Sequence, residues 1–306
     1  MSNQGVVFLA LGNRIYGRMA FNACLSIKAN CPTLQTALYY EESAVVDFKK
    51  RHFDLFNCKT ECPKEYYVYD DKLSYFRAKT RMYDFTPFDK TLWLDADTLI
   101  HPGKGKEILA LFDSDKDYYA QTYNLLDCDT GKRVVQSFYP DNLWHPLNKA
   151  LVEKYELQGK VLPQINSSFI YFEKNERMKA FFEEIKNLWA QGVNPVKNWR
   201  KDFPDEFFFH LAGARLGVQT DPVPFAPLYG DHEFKTMRKN AGLSEWMGAE
   251  AMQKDHIGMM LYGLNPPNHV VSIYDNLVRR YHDIVRPYNK IEPFQHVSKT
   301  KVGIRD

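Results

Sequence analysis

This chain is constrained most by the ten residues from Thr91 to Ile100, TLWLDADTLI. An apolar run predicts a buried strand, which leads into two aspartates spaced i, i+2. Because side chains alternate along an extended chain, Asp95 and Asp97 should point to one side and Ala96 to the other. Two carboxylates at the end of a buried strand predict a hard divalent cation, Mn²⁺ or Mg²⁺, which they would share with a phosphate group.

Composition limits the class of protein further. With 306 residues, of which 44% are hydrophobic and 15% aromatic, the chain can bury a large core. A formal net charge of +2 is too balanced to indicate nucleic-acid binding by itself. Five unevenly spaced cysteines predict reduced thiols. With no apolar run long enough for a signal or a membrane span, we expect a cytoplasmic protein, bacterial or, if viral, in the host cytoplasm.

Apolar runs alternate with amphipathic segments before the aspartate pair. This alternation predicts an α/β fold, in which a mostly parallel sheet carries helices on both faces and binds ligands at the carboxyl ends of its strands. The segments up to the aspartate pair are predicted as strands at Gly5–Leu11, Leu34–Tyr40 and Tyr66–Tyr69, and as helices at Gly17–Asn30, Ser43–Phe53 and Leu73–Phe85. Later segments are predicted as a strand at Phe169–Phe172 and helices at Asp205–Arg215, Ser244–Lys254 and Val271–Val285.

Four motifs, in this order, give the chain a resemblance to a known family. They are the first strand with Gly12, Asn13 and Tyr16, the helix with Arg77 and Lys79 before Leu94-Asp95-Ala96-Asp97, the triplet Asn166-Ser167-Ser168, and Asp205-Glu206 at the start of a late helix. Over roughly the first 215 residues the chain resembles the glycogenin-like and lipopolysaccharide galactosyltransferase-like retaining glycosyltransferases. The resemblance implies a GT-A fold, which is Rossmann-like, with a helical C-terminal extension.

The resemblance also implies a role for each motif in binding a nucleotide-sugar donor. Tyr16 would stack on the base, and Ala10, Gly12 and Asn13 would line its slot. Arg77 and Lys79 would contact the donor phosphates, and Asp95 and Ala96 would also belong to the donor-binding site. Asn166, Asp205 and Glu206 would act on the donor sugar as catalytic residues. The chain departs from the family pattern at Ser168, where Gly is usual, and at Glu206, where Gln is usual.

A third metal ligand completes the site that the resemblance implies. The family supplies a His near the end of the catalytic domain, in a strand-loop of the type His-x-x-Gly. Asp255-His256-Ile257-Gly258 is the nearest match, so we predict a metal site of Asp95, Asp97 and His256, with His232 in reserve. We expect residues 1–229 to form the catalytic domain, with a donor-binding half to about residue 100, an acceptor-side half over 101–229, and an extension over 230–306 packed on it.

The function implied is the metal-dependent transfer of a sugar from a nucleoside-diphosphate sugar, a UDP-sugar above all, to a glycan or lipopolysaccharide acceptor with retention. Basic clusters at 197–201 and 235–239 leave modified DNA open as an acceptor for a phage enzyme. Two other classes compete with this reading. One is a haloacid-dehalogenase-like phosphatase with Asp95 as nucleophile, and the other is a binding module for sugar nucleotides without catalysis. The sequence leaves the oligomeric state open.

Overall fold

A computed structural model describes residues 3–69, 71–135, 149–191, 205–218, 228–229, 252, 254–261, 268–285 and 294. The chain forms two compact units, each built from separated segments. Unit 1 comprises Pro63–Leu92 and Asp115–Pro224 with the first two residues, and unit 2 comprises Asn3–Cys62, Trp93–Ser114 and Phe225–Asp306. The boundary predicted near residue 229 remains a prediction.

Unit 2 is built on a parallel sheet. Strands β1 (Gln4–Ala10), β2 (Gln35–Tyr40) and β3 (Cys58–Glu61) pair in parallel, with β1 between β2 and the end of β6 (Lys90–Leu94). The predicted first two strands are therefore confirmed. The third parallel strand is Cys58–Glu61, whereas the predicted strand at 66–69 forms only a two-residue strand in unit 1.

Helix α1 (Arg14–Asn30) follows β1 in unit 2. It begins where the side chain of Asn13 accepts a hydrogen bond from the N–H of Ile15, at 2.9 Å, as expected of an N-cap residue. The predicted helix Ser43–Phe53 is instead a 3₁₀ turn, Glu42–Val45, and a one-turn helix α2, Lys50–Phe53. The break arises because Nδ1 of His52 accepts from the N–H of Lys49 and so starts a new helix there.

The rest of unit 2 surrounds a small second sheet. Strand β7 (Thr98–Ile100) pairs antiparallel with β12 (Gly258–Met260), which pairs in parallel with β11 (Leu228–Tyr229). Helix α5 (Gly105–Phe112) follows β7, and helix α9 (Asn268–Val285) packs on α1. Two buried tyrosines of α9 form hydrogen bonds to the rest of unit 2. The hydroxyl of Tyr281 donates to the carbonyl of Ile100 on β7, and that of Tyr274 accepts from the side-chain amide of Asn22 on α1.

Unit 1 is built on an antiparallel pair of long strands. Strand β10 (Val161–Glu173) pairs with β8 (Tyr118–Asp127), and β8 with β9 (Arg133–Val135). Helices α7 (Glu176–Ala190) and α8 (Asp205–Leu216) pack on each other, and α8 packs on β10. The core here is aromatic, with the rings of Phe172, Phe182 and Phe209 in contact. The remaining elements are β4 (Val68–Tyr69), β5 (Lys72–Leu73), α3 (Tyr75–Lys79), α4 (Met82–Phe85) and α6 (Lys149–Lys154).

Two predictions for unit 1 need correction. The helix predicted at Leu73–Phe85 is split into α3 and α4, because the hydroxyl of Thr80 bonds back to the carbonyl of Arg77 and the first helix ends there. The predicted strand at Phe169–Phe172 is the end of the much longer β10, and its register shifts between Asn166 and Ile170. The predicted helix at Ser244–Lys254 lies almost wholly outside the described residues.

Candidate functional site

The aspartate pair stands just beyond strand β6. Asp95 and Asp97 are half-exposed, whereas Ala96 between them is only 6% exposed. The N–H of Thr98 donates to the carbonyl of Asp95 at 3.1 Å and closes a tight turn. The indole N–H of buried Trp93 lies 3.4 Å from Oδ1 of Asp95 and points its donor at that carboxylate. Two carboxylates therefore face solvent next to a buried strand.

Contacts along α1 show which edge of the unit 2 sheet carries this pair. Strand β7 runs beside α1, since the N–H of Ile100 donates to Oγ of Ser26 at 3.1 Å. Further along the chain, the N–H of Gly103 donates to the side chain of Asn30, at the end of α1. The chain from Ile100 to Gly103 thus runs toward the end of α1. Asp97 and Asp95, which precede Ile100, therefore lie toward the start of α1. The loop after β1 lies at that same end.

The loop after β1 combines a left-handed turn with a carboxylate from the next strand. Gly12 has φ +77°, a conformation that glycine adopts without strain. Its N–H donates to Oε2 of Glu41 at 2.8 Å, and Glu41 is the residue that follows β2. Of the predicted base-slot residues, Gly12, Asn13 and Tyr16 are half-buried, whereas Ala10 is fully buried and offers only its backbone. Glu41 is not among the residues predicted from the sequence.

His256 lies far from the aspartate pair, contrary to the predicted metal site. The pairing of β7 with β12 sets Leu261, whose N–H donates to the carbonyl of Asp97, beside the pair. His256 precedes β12 at its other end, so about five residues of mostly extended chain, roughly 15 Å, separate it from Leu261. Among the described residues, no group of three or more His, Cys, Asp or Glu side chains could hold a metal. The reserve candidate His232 lies outside the described residues.

His256 belongs instead to an aromatic cluster in the core of unit 2. Its ring meets Tyr229 edge-on, with centroids 5.1 Å apart, and Tyr229 stacks on His101 at 5.4 Å. His101 is 0% exposed, and within the described residues neither of its ring nitrogens has a hydrogen-bond partner. Burial, with smaller contributions from His256 and Lys104, lowers the pKa of His101 to about 3. His101 is therefore neutral at physiological pH.

Unit 1 gathers predicted sugar-binding residues around one lysine. Nζ of Lys79 lies 3.6 Å from Oδ2 of Asp205 and donates to Oγ of Ser167 at 3.2 Å. The side chains of Lys79 and Asp205 are 14% and 4% exposed, so this is a largely buried ion pair. Glu206, which is half-exposed, accepts from the N–H of Ser167 at 3.3 Å. The start of α8, the end of α3 and the irregular part of β10 thus meet at charged and hydroxyl groups.

Asn166 organises the strand side of this cluster. Its amide nitrogen donates to the hydroxyl of Tyr123 on β8 at 2.7 Å, and its amide oxygen accepts from the N–H of Ser168 at 2.7 Å. The N–H of Ile165 donates to Nε2 of His210, which ties α8 to β10. The structure thus adds Tyr123, Ser167 and His210 to the predicted residues. Ser167 lay inside the predicted motif, whereas no local pattern marks Tyr123 or His210.

Arg77 points away from this cluster. Its guanidinium donates to the carbonyls of Glu65 and Val68 and lies over the ring of Tyr69, 5.2 Å from the centroid. These contacts hold the segment before α3 in place. Of the two basic residues predicted to contact phosphate, Arg77 therefore serves the local structure, and only Lys79 joins the predicted site residues.

Comparisons with known proteins place this fold. No profile of a protein family matches the chain, and no curated protein sequence matches it. The galactosyltransferase LgtC, solved with donor and acceptor sugar analogs, matches over 94% of this chain and 97% of its own, with 12% identity and a TM-score of 0.51. The fold is GT-A.

Two other solved glycosyltransferases match at 12% identity. GlyE of Streptococcus pneumoniae TIGR4 matches over 94% of this chain with a TM-score of 0.54, and the bifunctional enzyme WbbM over 92% with a TM-score of 0.53. The match covers 63% of GlyE and 52% of WbbM. The predicted α/β class and GT-A fold are thus confirmed. Within the described part of the chain, no helix is long and apolar enough to cross a membrane.

Proposed function

We propose that this protein is a glycosyltransferase that uses Mn²⁺ or Mg²⁺ to transfer a sugar from a nucleoside-diphosphate sugar to a glycan, with retention. The observation that carries the proposal is the pair Asp95 and Asp97, half-exposed at the end of a buried strand in a chain with the GT-A fold. Divalent cations of this kind are commonly held by one or two carboxylates together with substrate phosphates. The two carboxylates fit such a site without a third ligand from the protein, so the proposed metal site does not include His256.

In this proposal unit 2 binds the nucleotide and its diphosphate. Asp95 and Asp97 would hold the cation, which when bound neutralises negative charge on the departing diphosphate. Trp93 orients the carboxylate of Asp95 through its indole N–H. The left-handed turn at Gly12 would let the nucleotide approach the backbone, and Tyr16 would stack on the base.

The residues that the resemblance assigns to the donor sugar form a cluster within unit 1. The side chain of Asp205 is almost completely buried beside the ammonium of Lys79, and its carboxylate would accept hydrogen bonds from sugar hydroxyls. Glu206 is held by the N–H of Ser167 and would also act as an acceptor, where an amide could donate. Asn166 positions Tyr123 and the Ser167–Ser168 backbone. We assign no protein base, since the departing phosphate can take the proton of the acceptor hydroxyl.

A panel of nucleotide sugars tests the proposal. Purified protein is incubated with Mn²⁺ and each donor, with and without a chelator, and release of the nucleoside diphosphate is measured. We expect metal-dependent turnover of one donor that is lost in Asp97→Asn and kept in Asp115→Asn, a matched substitution of an exposed aspartate.

Other outcomes of the same panel separate the competing functions. Cleavage of a generic phosphate ester without turnover of any nucleotide sugar would favour the phosphatase with Asp95 as nucleophile. Metal-dependent binding of a nucleotide sugar without transfer to any acceptor would favour the binding module. The basic clusters at 197–201 and 235–239, on which a DNA acceptor depends, lie outside the described residues.

A further inference from the structure

Glu41 occupies a distinctive position in unit 2. Strands β1 and β2 are parallel, with Ala10 opposite Tyr40, so the residues that follow them emerge at the same edge of the sheet. Glu41 is the first residue after β2, and its carboxylate reaches across to the N–H of Gly12 at 2.8 Å. The side chain is half-exposed. A carboxylate is thus fixed beside the loop where a sheet of this kind receives a nucleotide.

Several contacts hold this carboxylate in place. The N–H of Glu41 donates to the carbonyl of Ala10 at 3.0 Å, and the hydroxyl of Ser43 donates to the carbonyl of Gly12 at 3.4 Å. The 3₁₀ turn after Glu41 packs tightly on α1, because a Cβ at Gly17 would lie only 2.0 Å from the carbonyl oxygen of Ala44. The side chain is therefore presented by rigid backbone on both sides, as recognition of a small molecule requires.

The distance from the aspartate pair identifies which part of a nucleotide Glu41 could reach. The unit 2 strands lie in the order β6-β1-β2, so β2 is two strand spacings, about 10 Å, from β6, the strand that Asp95 follows. A diphosphate held at Asp95 would therefore direct its nucleoside across β1 toward β2. The base is the part of the nucleoside farthest from the phosphates.

We propose that Glu41 reads the base of the donor nucleotide by accepting a hydrogen bond from a ring N–H, an inference that rests on the proposed function. Uracil and guanine carry such an N–H at the edge away from the ribose. Cytosine and adenine carry a ring nitrogen lone pair there, which a carboxylate repels. A carboxylate has about four acceptor sites, and the Gly12 N–H uses one of them. Glu41 would therefore select uridine or guanosine nucleotides over cytidine and adenosine nucleotides.

Substitution of Glu41 by glutamine tests this inference with little disturbance of the fold. The amide oxygen of Gln can keep the hydrogen bond from Gly12, whereas its NH₂ group can only donate. Dissociation constants for UDP, GDP, CDP and ADP with Mn²⁺ are measured by calorimetry for the wild type, Glu41→Gln and Glu42→Gln. Glu42 is the exposed neighbour and serves as the matched control. Thermal unfolding checks that each variant is folded.

We expect the wild type to bind UDP or GDP about tenfold to a hundredfold more tightly than CDP and ADP, as for a hydrogen bond to a charged group. Glu41→Gln should lose that preference and gain affinity for CDP, and Glu42→Gln should keep the wild-type pattern. N3-methyl-UDP and 2′-deoxy-UDP locate the contact. If N3-methylation of UDP weakens binding to the wild type but not to Glu41→Gln, Glu41 contacts the base as proposed. If only removal of the 2′-hydroxyl weakens binding to the wild type, Glu41 contacts the ribose and the proposal is wrong.

The two proposals fail in different ways. If the wild type binds no nucleoside diphosphate, the proposed function itself is wrong. If the wild type binds nucleotides and Glu41→Gln retains the same order of affinities, the inference about Glu41 is wrong and the proposed function stands.

Discussion

Replacing His101 with phenylalanine isolates the effect of one buried side chain on the pH dependence of stability. His101 is 0% exposed and stacks on Tyr229, and burial lowers its pKa from 6.5 to about 3. In the unfolded chain its pKa returns to about 6.5. Between these two values the unfolded state binds a proton that the folded state does not. His101 therefore does not lower the free energy of unfolding above pH 6.5. As the pH falls below 6.5, protonation of the unfolded state lowers the free energy of unfolding progressively.

The size of this loss follows from the two pKa values. Between pH 7 and pH 5, protonation of the unfolded state alone should lower the free energy of unfolding by about 2 kcal/mol. Because pH 5 lies well above the folded pKa, protonation of the folded state contributes almost nothing to this figure. A phenylalanine at position 101 has a ring of similar size and no titratable group, so it should remove this part of the pH dependence.

Urea denaturation at pH 7 and pH 5 measures the effect. We expect the wild type to lose about 2 kcal/mol more stability between these pH values than His101→Phe loses. Tyr229→Phe, which changes the stacking partner and keeps the histidine, should show the wild-type dependence. At pH 7 the His101→Phe protein should be at least as stable as the wild type, because two buried nitrogens without partners among the described residues are removed. Equal pH dependence in the wild type and His101→Phe would refute the reasoning.

Two further substitutions test packing and the sugar-binding cluster. Gly17→Ala should lower the free energy of unfolding by about 2 kcal/mol in urea denaturation, because its Cβ would lie 2.0 Å from the carbonyl oxygen of Ala44. Helix propensity alone predicts a gain of about 1 kcal/mol, so a stabilised variant would contradict the close contact. Lys79→Met should destabilise the protein by roughly 3 kcal/mol, because it leaves the carboxylate of Asp205 buried without its cation. Lys79→Met should also lower kcat for sugar transfer much more than the affinity for UDP. A large loss of affinity for UDP with little change in kcat would instead indicate that Lys79 contacts the phosphates.

The sequence predicted the parts of this structure that follow from local periodicity. Alternation along a strand predicted Asp95 and Asp97 on one side of Ala96. Both aspartates are more exposed than Ala96, but residues 95–98 form a tight turn beyond β6 and not a continuation of the strand. Apolar runs identified β1 and β2, and the helix predicted from Gly17 begins three residues earlier, at Arg14. These features depend on neighbours a few residues away, which is the information that a single sequence contains.

Features that depend on distant contacts were missed or misplaced. Strand β3 has a polar, exposed sequence and is a strand because it pairs with β2. The motif around His256 matched a family pattern, but the register of β12 against β7 sets Leu261 beside Asp97 instead. Glu41 carried a usable signal, because it directly follows the second predicted strand, at the edge where such sheets bind ligands.

The central claim is that Asp95 and Asp97 hold a divalent cation that binds the diphosphate of a nucleotide. It is tested most directly by an anomalous difference map, recorded at the manganese edge, from crystals grown with Mn²⁺ and UDP. We predict one strong peak between the carboxylates of Asp95 and Asp97, with the diphosphate against it, and its absence in Asp97→Asn crystals. A manganese peak elsewhere, or bound UDP with no manganese at this pair, would contradict the claim.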